Sequence, residues 1–210
     1  MTELDLNKAQ QARIDYLAKI GIKVELKELE VTKAPPQYKY VKGICTTRNY
    51  DIWPPFRVHF EEITAVGWNN QEREVSANIC IKLPHGFGGQ APHGSYEYIS
   101  FFVNWTPDVS PTEPDYQDWF EYIGTESLML YDNPNRNGLF HSCFHVTHKV
   151  YPPVFCMTRL DPVTGSFVPN PPRIVWIRGL LSWAVPVIDP WKVPTWGNWF
   201  DAKIELVPIF

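Results

Sequence analysis

The opening of the chain has a helical pattern, and beyond residue 40 most of it follows a period of two. Over 5–20, Leu6, Ile14, Leu17 and Ala18 form a narrow apolar stripe. Asp5 or Asn7 can cap its start, and Gly21 is placed to end it. So narrow a stripe predicts a helix that must lean on the domain or on another chain. Ile22, Val24 and Leu26 then alternate with Lys23, Glu25 and Lys27 as a short strand, and Pro35-Pro36 marks a linker. The predicted organisation is an N-terminal helical arm with a short strand over 1–34 and a β-sandwich domain over 35–210.

Four later segments alternate clearly. In 75–83, Val75, Ala77, Ile79, Ile81 and Leu83 share a face. In 96–105, Ile99, Phe101, Val103 and Trp105 oppose Tyr98, Ser100, Phe102 and Asn104. In 173–183, Val175, Ile177, Leu181 and Trp183 oppose Ile174, Trp176, Arg178 and Ser182. At the end, Phe200, Ala202, Ile204 and Leu206 oppose Asp201, Lys203 and Glu205. Further strands are expected near 56–66, 121–131 and 139–150, separated by stretches dense in proline, glycine and asparagine. Without strand–helix alternation a parallel sheet is disfavoured. The expected fold is mostly β: an antiparallel two-sheet β-sandwich, immunoglobulin-like, C2-like or jelly-roll, with a short N-terminal helix.

Composition refines this picture. The 210 residues suit one domain with a small appendage, and a net charge of −4 argues against nucleic-acid binding. No apolar run is long enough for a membrane-spanning helix, and the acidic start lacks the features of a signal peptide. A cytoplasmic location is therefore expected, with Cys45, Cys80, Cys143 and Cys156 as reduced thiols. Proline, at 20, and tryptophan, at nine, are in excess.

Five of the nine tryptophans lie in RIVWIRGLLSWAVPVIDPWKVPTWGNWFDAKIEL, where Leu181-Ser182-Trp183 is followed by a loop carrying Pro186, Pro190 and Pro194 and then Trp196-Gly197-Asn198. With KLPHGFGG and GSYEYISFFVNW upstream, this run resembles a group of uncharacterised bacterial proteins carrying an LSW…P-x-WGN signature over about 75–206. The resemblance implies a bacterial origin and carries no activity, cofactor or catalytic residue with it. Physically the loop reads as a stiff connection plugged by indoles, with Gly197 and Asn198 suited to positive φ. Alternatively Trp176, Trp191, Trp196, Trp199, Tyr96 and Tyr98 form a surface that anchors a partner.

The chemical constellation in HSCFHVTH places His141, Cys143 and His145 on one strand face, with Ser142, Phe144 and Val146 toward the core. Two of the three, with a distant ligand such as His59, could hold zinc; the plainer reading is a polar outer face. LPHGFGGQAPHG contains Gly86, Gly88 and Gly89 between His85 and His93, but it lacks a P-loop ending and is followed by a strand. Asp108, Glu113, Asp115 and Asp118 make an acidic loop that could attract calcium, without an EF-hand spacing. No nucleophile and base can be nominated, and no cofactor is implied.

The expected function is a non-catalytic protein-interaction or assembly module, with another protein or a second copy as partner and the helix as an assembly arm. The alternatives are a carbohydrate-binding module using exposed Trp and Tyr, and a metal-dependent enzyme using the His/Cys strand face.

Overall fold

The computed structural model describes residues 3–22, 56–105, 120–134 and 142–208. Helix α1 spans Glu3–Lys19. It is followed by strands β1 (Glu61–Asn69), β2 (Glu74–Ile81), β3 (Ser95–Asn104), β4 (Glu121–Leu130) and β5 (Ser142–Lys149). A one-turn helix α2 (Val154–Met157) then leads into β6 (Thr158–Leu160), β7 (Phe167–Pro169), β8 (Arg173–Trp183) and β9 (Trp199–Leu206). Among the described residues no helix is long and apolar enough to cross a membrane.

The strands form the expected mostly-β, two-sheet sandwich. One sheet has the order β1-β2-β5, the other β4-β3-β8-β9, and β6-β7 is a separate small hairpin. Every paired neighbour is antiparallel. The alternating faces read from the sequence meet in the centre, where Val75, Ile79 and Ile81 of the first sheet join Ile99, Phe101, Val175 and Ile177 of the second in one core. Period two explains this directly: each strand can bury only one set of alternate side chains against the opposing sheet.

The outer face of the four-stranded sheet is also buried along part of its length. Phe102 and Leu180 lie there beneath Phe120, Val187 and Trp191, so the proline-rich connection between β8 and β9 acts as a lid made by the chain itself. Two asparagines tie the sheets together. Asn70 accepts from the Val207 amide at the end of β9 and donates to the Glu205 carbonyl. The Asn198 side chain accepts from the Ile63 amide at 2.8 Å and donates to the Ile63 carbonyl at 3.0 Å, mimicking a strand partner beside the β1 irregularity. Gly197 takes the expected positive φ, at 102°, but Asn198 does not, and its contribution is its side-chain amide.

Several expectations are corrected. Cys80 and Cys143 are disulfide-bonded, not reduced thiols. They are 63 residues apart in sequence, yet β2–β5 register sets them directly opposite with Cα atoms 4.2 Å apart. Cys156 is a buried free thiol, and Cys45 lies outside the described residues. The strand expected at 56–66 begins at Glu61, with Arg57 making only an isolated bridge to Gly197. The turn-rich stretch near 167–173 contains β7. On α1 the buried stripe runs through Arg13 and Leu17, with Ala9 partly covered, while Ala18 faces out. The short strand at 22–26, the Pro35-Pro36 linker and the acidic loop of Asp108, Glu113, Asp115 and Asp118 lie outside the described residues, apart from Ile22.

Candidate functional site

One end of the sandwich is closed by α1, and Arg13 passes through that closure into the interior. Glu61 opens β1, and Glu97 lies on the inner face of β3, opposite Trp183 on β8. Arg13 Nη1 donates to Glu61 Oε1 at 2.8 Å and Nη2 to Glu97 Oε1 at 3.1 Å. Its Nε donates to the Gly86 carbonyl at 2.8 Å. Aromatic rings surround the guanidinium, with centroids 4.2 Å (Trp183), 4.6 Å (Phe60), 5.3 Å (Phe87) and 5.6 Å (Trp196) from its central carbon. Arg13, Glu61 and Glu97 are all essentially inaccessible to solvent.

The glycine-rich loop supplies one wall of this cage. The Phe87 amide donates to Asp132 Oδ1, and the Asp132 and Asn133 amides return to Gly89 and Pro84 carbonyls. The loop is thus folded onto the start of the segment after β4, and its Phe87 amide is spent on Asp132 instead of facing an anion. Gly86 has φ of 109°, and a Cβ there would meet the Phe60 ring at 2.2 Å. Glycine is required so that its carbonyl can reach Arg13 while the phenyl ring stays in place.

Two carboxylates converge on one guanidinium. Burial, and then the neighbouring Glu61 charge, push the Glu97 carboxyl well above the ordinary carboxylate range, against the pull of Arg13. Burial also raises Glu61, opposed by Arg13 and Lys82. The second carboxyl oxygen of each has no hydrogen-bond partner among the described residues. Protonating Glu97 makes the cage neutral: one guanidinium, one carboxylate and one carboxylic acid. This follows from the cost of a second buried, uncompensated charge. Chemically the arrangement is a receptor for a planar cation, and the cation it holds belongs to its own chain.

A second arginine is caged on the opposite side of the same sheet. Arg178 makes a bidentate pair with Asp201, both contacts at 2.7 Å, and donates to the Pro190 carbonyl at 2.6 Å. Its guanidinium carbon lies 4.5 Å from the Trp191 and Trp199 rings and 4.8 Å from Phe120. Bidentate geometry and stacking together suit arginine and not lysine.

These cages account for most of the tryptophans expected at a surface. Trp196 is 0% exposed and Trp191 6%, so neither is free to anchor a partner; each closes an arginine cage. Trp176 and Trp199 are partly buried against the outer cluster. Tyr96, 42% exposed, and the half-buried Tyr98 do form an adjacent pair, with ring centroids 6.1 Å apart and planes tilted by 34°. The sequence showed too many indoles for one loop but not their hosts, because Arg178 falls on the outer alternation of its strand and Arg13 lies on a helix distant in sequence. One signal was available: Arg13 stands four residues after Ala9 and four before Leu17, on the stripe itself.

The His/Cys face does not assemble. Cys143 is bridged to Cys80, which removes it as a thiolate ligand. His145 is exposed and shares a 2.8 Å hydrogen bond with the Asn78 side chain, and His141 lies outside the described residues. His59, the suggested distant ligand, is disfavoured in its charged form by burial and then by Lys82 and Arg57, a cationic setting unsuited to a metal ion. Among the described residues no group of three His, Cys, Asp or Glu could hold a metal. His85 is 3.8 Å from Asp132 and edge-on to Tyr16.

No family model and no curated protein matches this chain. Among solved structures it is similar to a β-glucosidase from Kluyveromyces marxianus, in a selenomethionine-labelled form and in complex with glucose. Both matches have a TM-score of 0.31, with 8% and 9% identity respectively. The similarity covers 70% of this chain and only 14% of the enzyme's chain.

Proposed function

We propose that the protein is a non-catalytic interaction or assembly module of bacterial origin, built on the β-sandwich. The observation that carries this reading is the excursion between β5 and β8. Within it Tyr151, Val163 and Phe167 are 83%, 91% and 74% exposed, and Val154 and Leu160 are exposed as well. Leu160 and Phe167 are direct partners in the β6–β7 hairpin, so their side chains stand on the same side of it. Single exposed apolar residues are ordinary, but five large ones within residues 151–167, two of them side by side, favour a contact surface. The partner is another protein or a second copy of the chain.

The test is light scattering of the wild-type chain beside Leu160→Ser/Phe167→Ser. A defined oligomer, or a complex with a partner isolated from the producing cell, should be lost in the double variant while thermal unfolding stays unchanged. A wild-type chain that is strictly monomeric and recovers no partner overturns the reading.

The carbohydrate reading now rests on Tyr96, Tyr98 and the partly buried Trp199, since Trp191 and Trp196 are enclosed. The metal-enzyme reading loses its cysteine to the disulfide.

A further inference from the structure

The two sheets meet along two long sides, and these are fastened by different chemistry. On one, β1 and β9 are tied by the side-chain amides of Asn70 and Asn198, which do not titrate. On the other, His148 of β5 reaches across to β4. It stands opposite the core residue Val75 in the β2–β5 register, so its ring turns inward and stacks on Phe101 of β3, with centroids 6.3 Å apart. Its Nδ1 lies 2.8 Å from Glu126 Oε1 and its Nε2 3.0 Å from the Ile123 carbonyl oxygen. A carboxylate and a carbonyl can only accept, so both contacts are hydrogen bonds at once only when both ring nitrogens carry hydrogen. A neutral ring keeps one contact and turns a lone pair toward an oxygen in the other.

Strand β4 is shaped around this ring. Phe101 pairs with Gly124 and Phe102 with Tyr122, so Ile123 is an extra residue in the strand. Such a bulge takes backbone groups out of the ladder, and here the Ile123 carbonyl receives Nε2. A Cβ on Gly124 would lie 2.2 Å from Nε2, so a larger residue there would push the ring out. The other titratable groups on β2 to β5 are engaged elsewhere. Glu121 accepts from the Trp105 indole, Glu97 holds Arg13, and Lys149 pairs with Glu72 and Glu74. His145 bonds Asn78, and Tyr96, Tyr98 and Tyr122 stand on the outer face of their sheet. Glu126 is therefore the charge that faces the ring.

We propose that the β4–β5 side of the sandwich is a proton-operated seam. As an imidazolium, His148 bridges Glu126 and the Ile123 carbonyl and holds the two sheets together there; loss of one ring proton loosens that side alone. The closed seam holds the proton between two acceptors, whereas an open seam returns the ring to water. Closing is therefore favoured in acid and opposed as pH rises through the titration of the ring. The side fastened by Asn70 and Asn198 stays closed, because its amides have nothing to lose. This device is independent of the assembly reading.

The test uses the full-length chain, with histidines labelled for nitrogen NMR, and hydrogen exchange of its backbone amides. At about pH 5 both ring nitrogens of His148 should carry hydrogen. Between about pH 5 and about pH 8, exchange in 123–126 and 144–148 should rise about tenfold relative to β1 and β9, after correction for the direct effect of pH on exchange. The same should hold in Glu97→Gln, which takes the arginine cage out of the titration. Glu126→Gln should open the seam at a pH where the wild type is still closed. In His148→Gln and in Gly124→Ala the local response to pH should vanish. A single N–H on His148 at about pH 5, equal loosening of both sides, or a wild-type response in His148→Gln overturns the seam. If His148→Gln does not fold, Glu126→Gln decides, and an unchanged response there overturns it as well.

Discussion

Glu97 shows how a single buried group sets a measurable property. Its carboxyl holds a proton more firmly in the folded chain than at the ordinary value of 4.5, chiefly because of burial and then because of Glu61. Between those two values the folded state binds more protons than the unfolded state, so this group's contribution to stability falls as pH rises through that window. Below 4.5 the contribution is fully present, and above the raised value the loss is complete. Glu97→Gln keeps an oxygen for Arg13 and removes the titration. Its denaturation midpoint relative to wild type should therefore climb from pH 4.5 upward and then level off. A difference that does not vary with pH would show that Glu97 titrates normally. Asn198 makes a second case at this scale. Asn198→Ala leaves the Ile63 amide and carbonyl unpaired in the interior, at about 1–3 kcal/mol for each group. Urea unfolding should show a loss of about 2–6 kcal/mol for the two groups together, and a change under 0.5 kcal/mol (roughly the scatter of neutral surface changes) would mean that water replaces the side chain there.

Among the elements, the β2–β5 pair carries the clearest consequence. A bridge closing a 63-residue separation limits the unfolded chain by up to about 4 kcal/mol in the entropy model, and native bridges commonly contribute about 2–4 kcal/mol. Cys80→Ser/Cys143→Ser should lower the unfolding midpoint, and reductant should lower the wild-type midpoint to about the same value. Non-reducing peptide mapping should find Cys80 joined to Cys143; recovery of both as alkylatable thiols from native protein would refute the pairing. The bridge also stands in tension with the cytoplasmic location expected from the sequence, since cytosolic thiols are kept reduced. Strand faces were legible at this scale: Val75, Ala77, Ile79 and Ile81 point inward as read, because alternation alone dictates it. The pairing of two cysteines was not legible. It depends on which strands become neighbours and in which register, and β2 and β5 are separated by two strands of the other sheet.

At the scale of the whole molecule, the sandwich is closed at one end by a helix and covered on one face by its own proline-rich connection. Both covers are fastened by an arginine held between carboxylate and indole. A helix anchored by Arg13 and Leu17 stabilises the domain, because removing it strands two buried carboxylates and opens the aromatic cage. The period of the chain, by itself, determined a mostly-β body with a leading helix, since alternate side chains must find a buried face whatever lies opposite. Only the tertiary structure decided which of the surplus aromatics are inside. On the sequence Trp191 and Trp196 suit either a plug or a surface; Arg178 and Arg13, arriving from elsewhere in the chain, draw them inside, and a charge becomes a core residue only where distant segments supply its counter-charge.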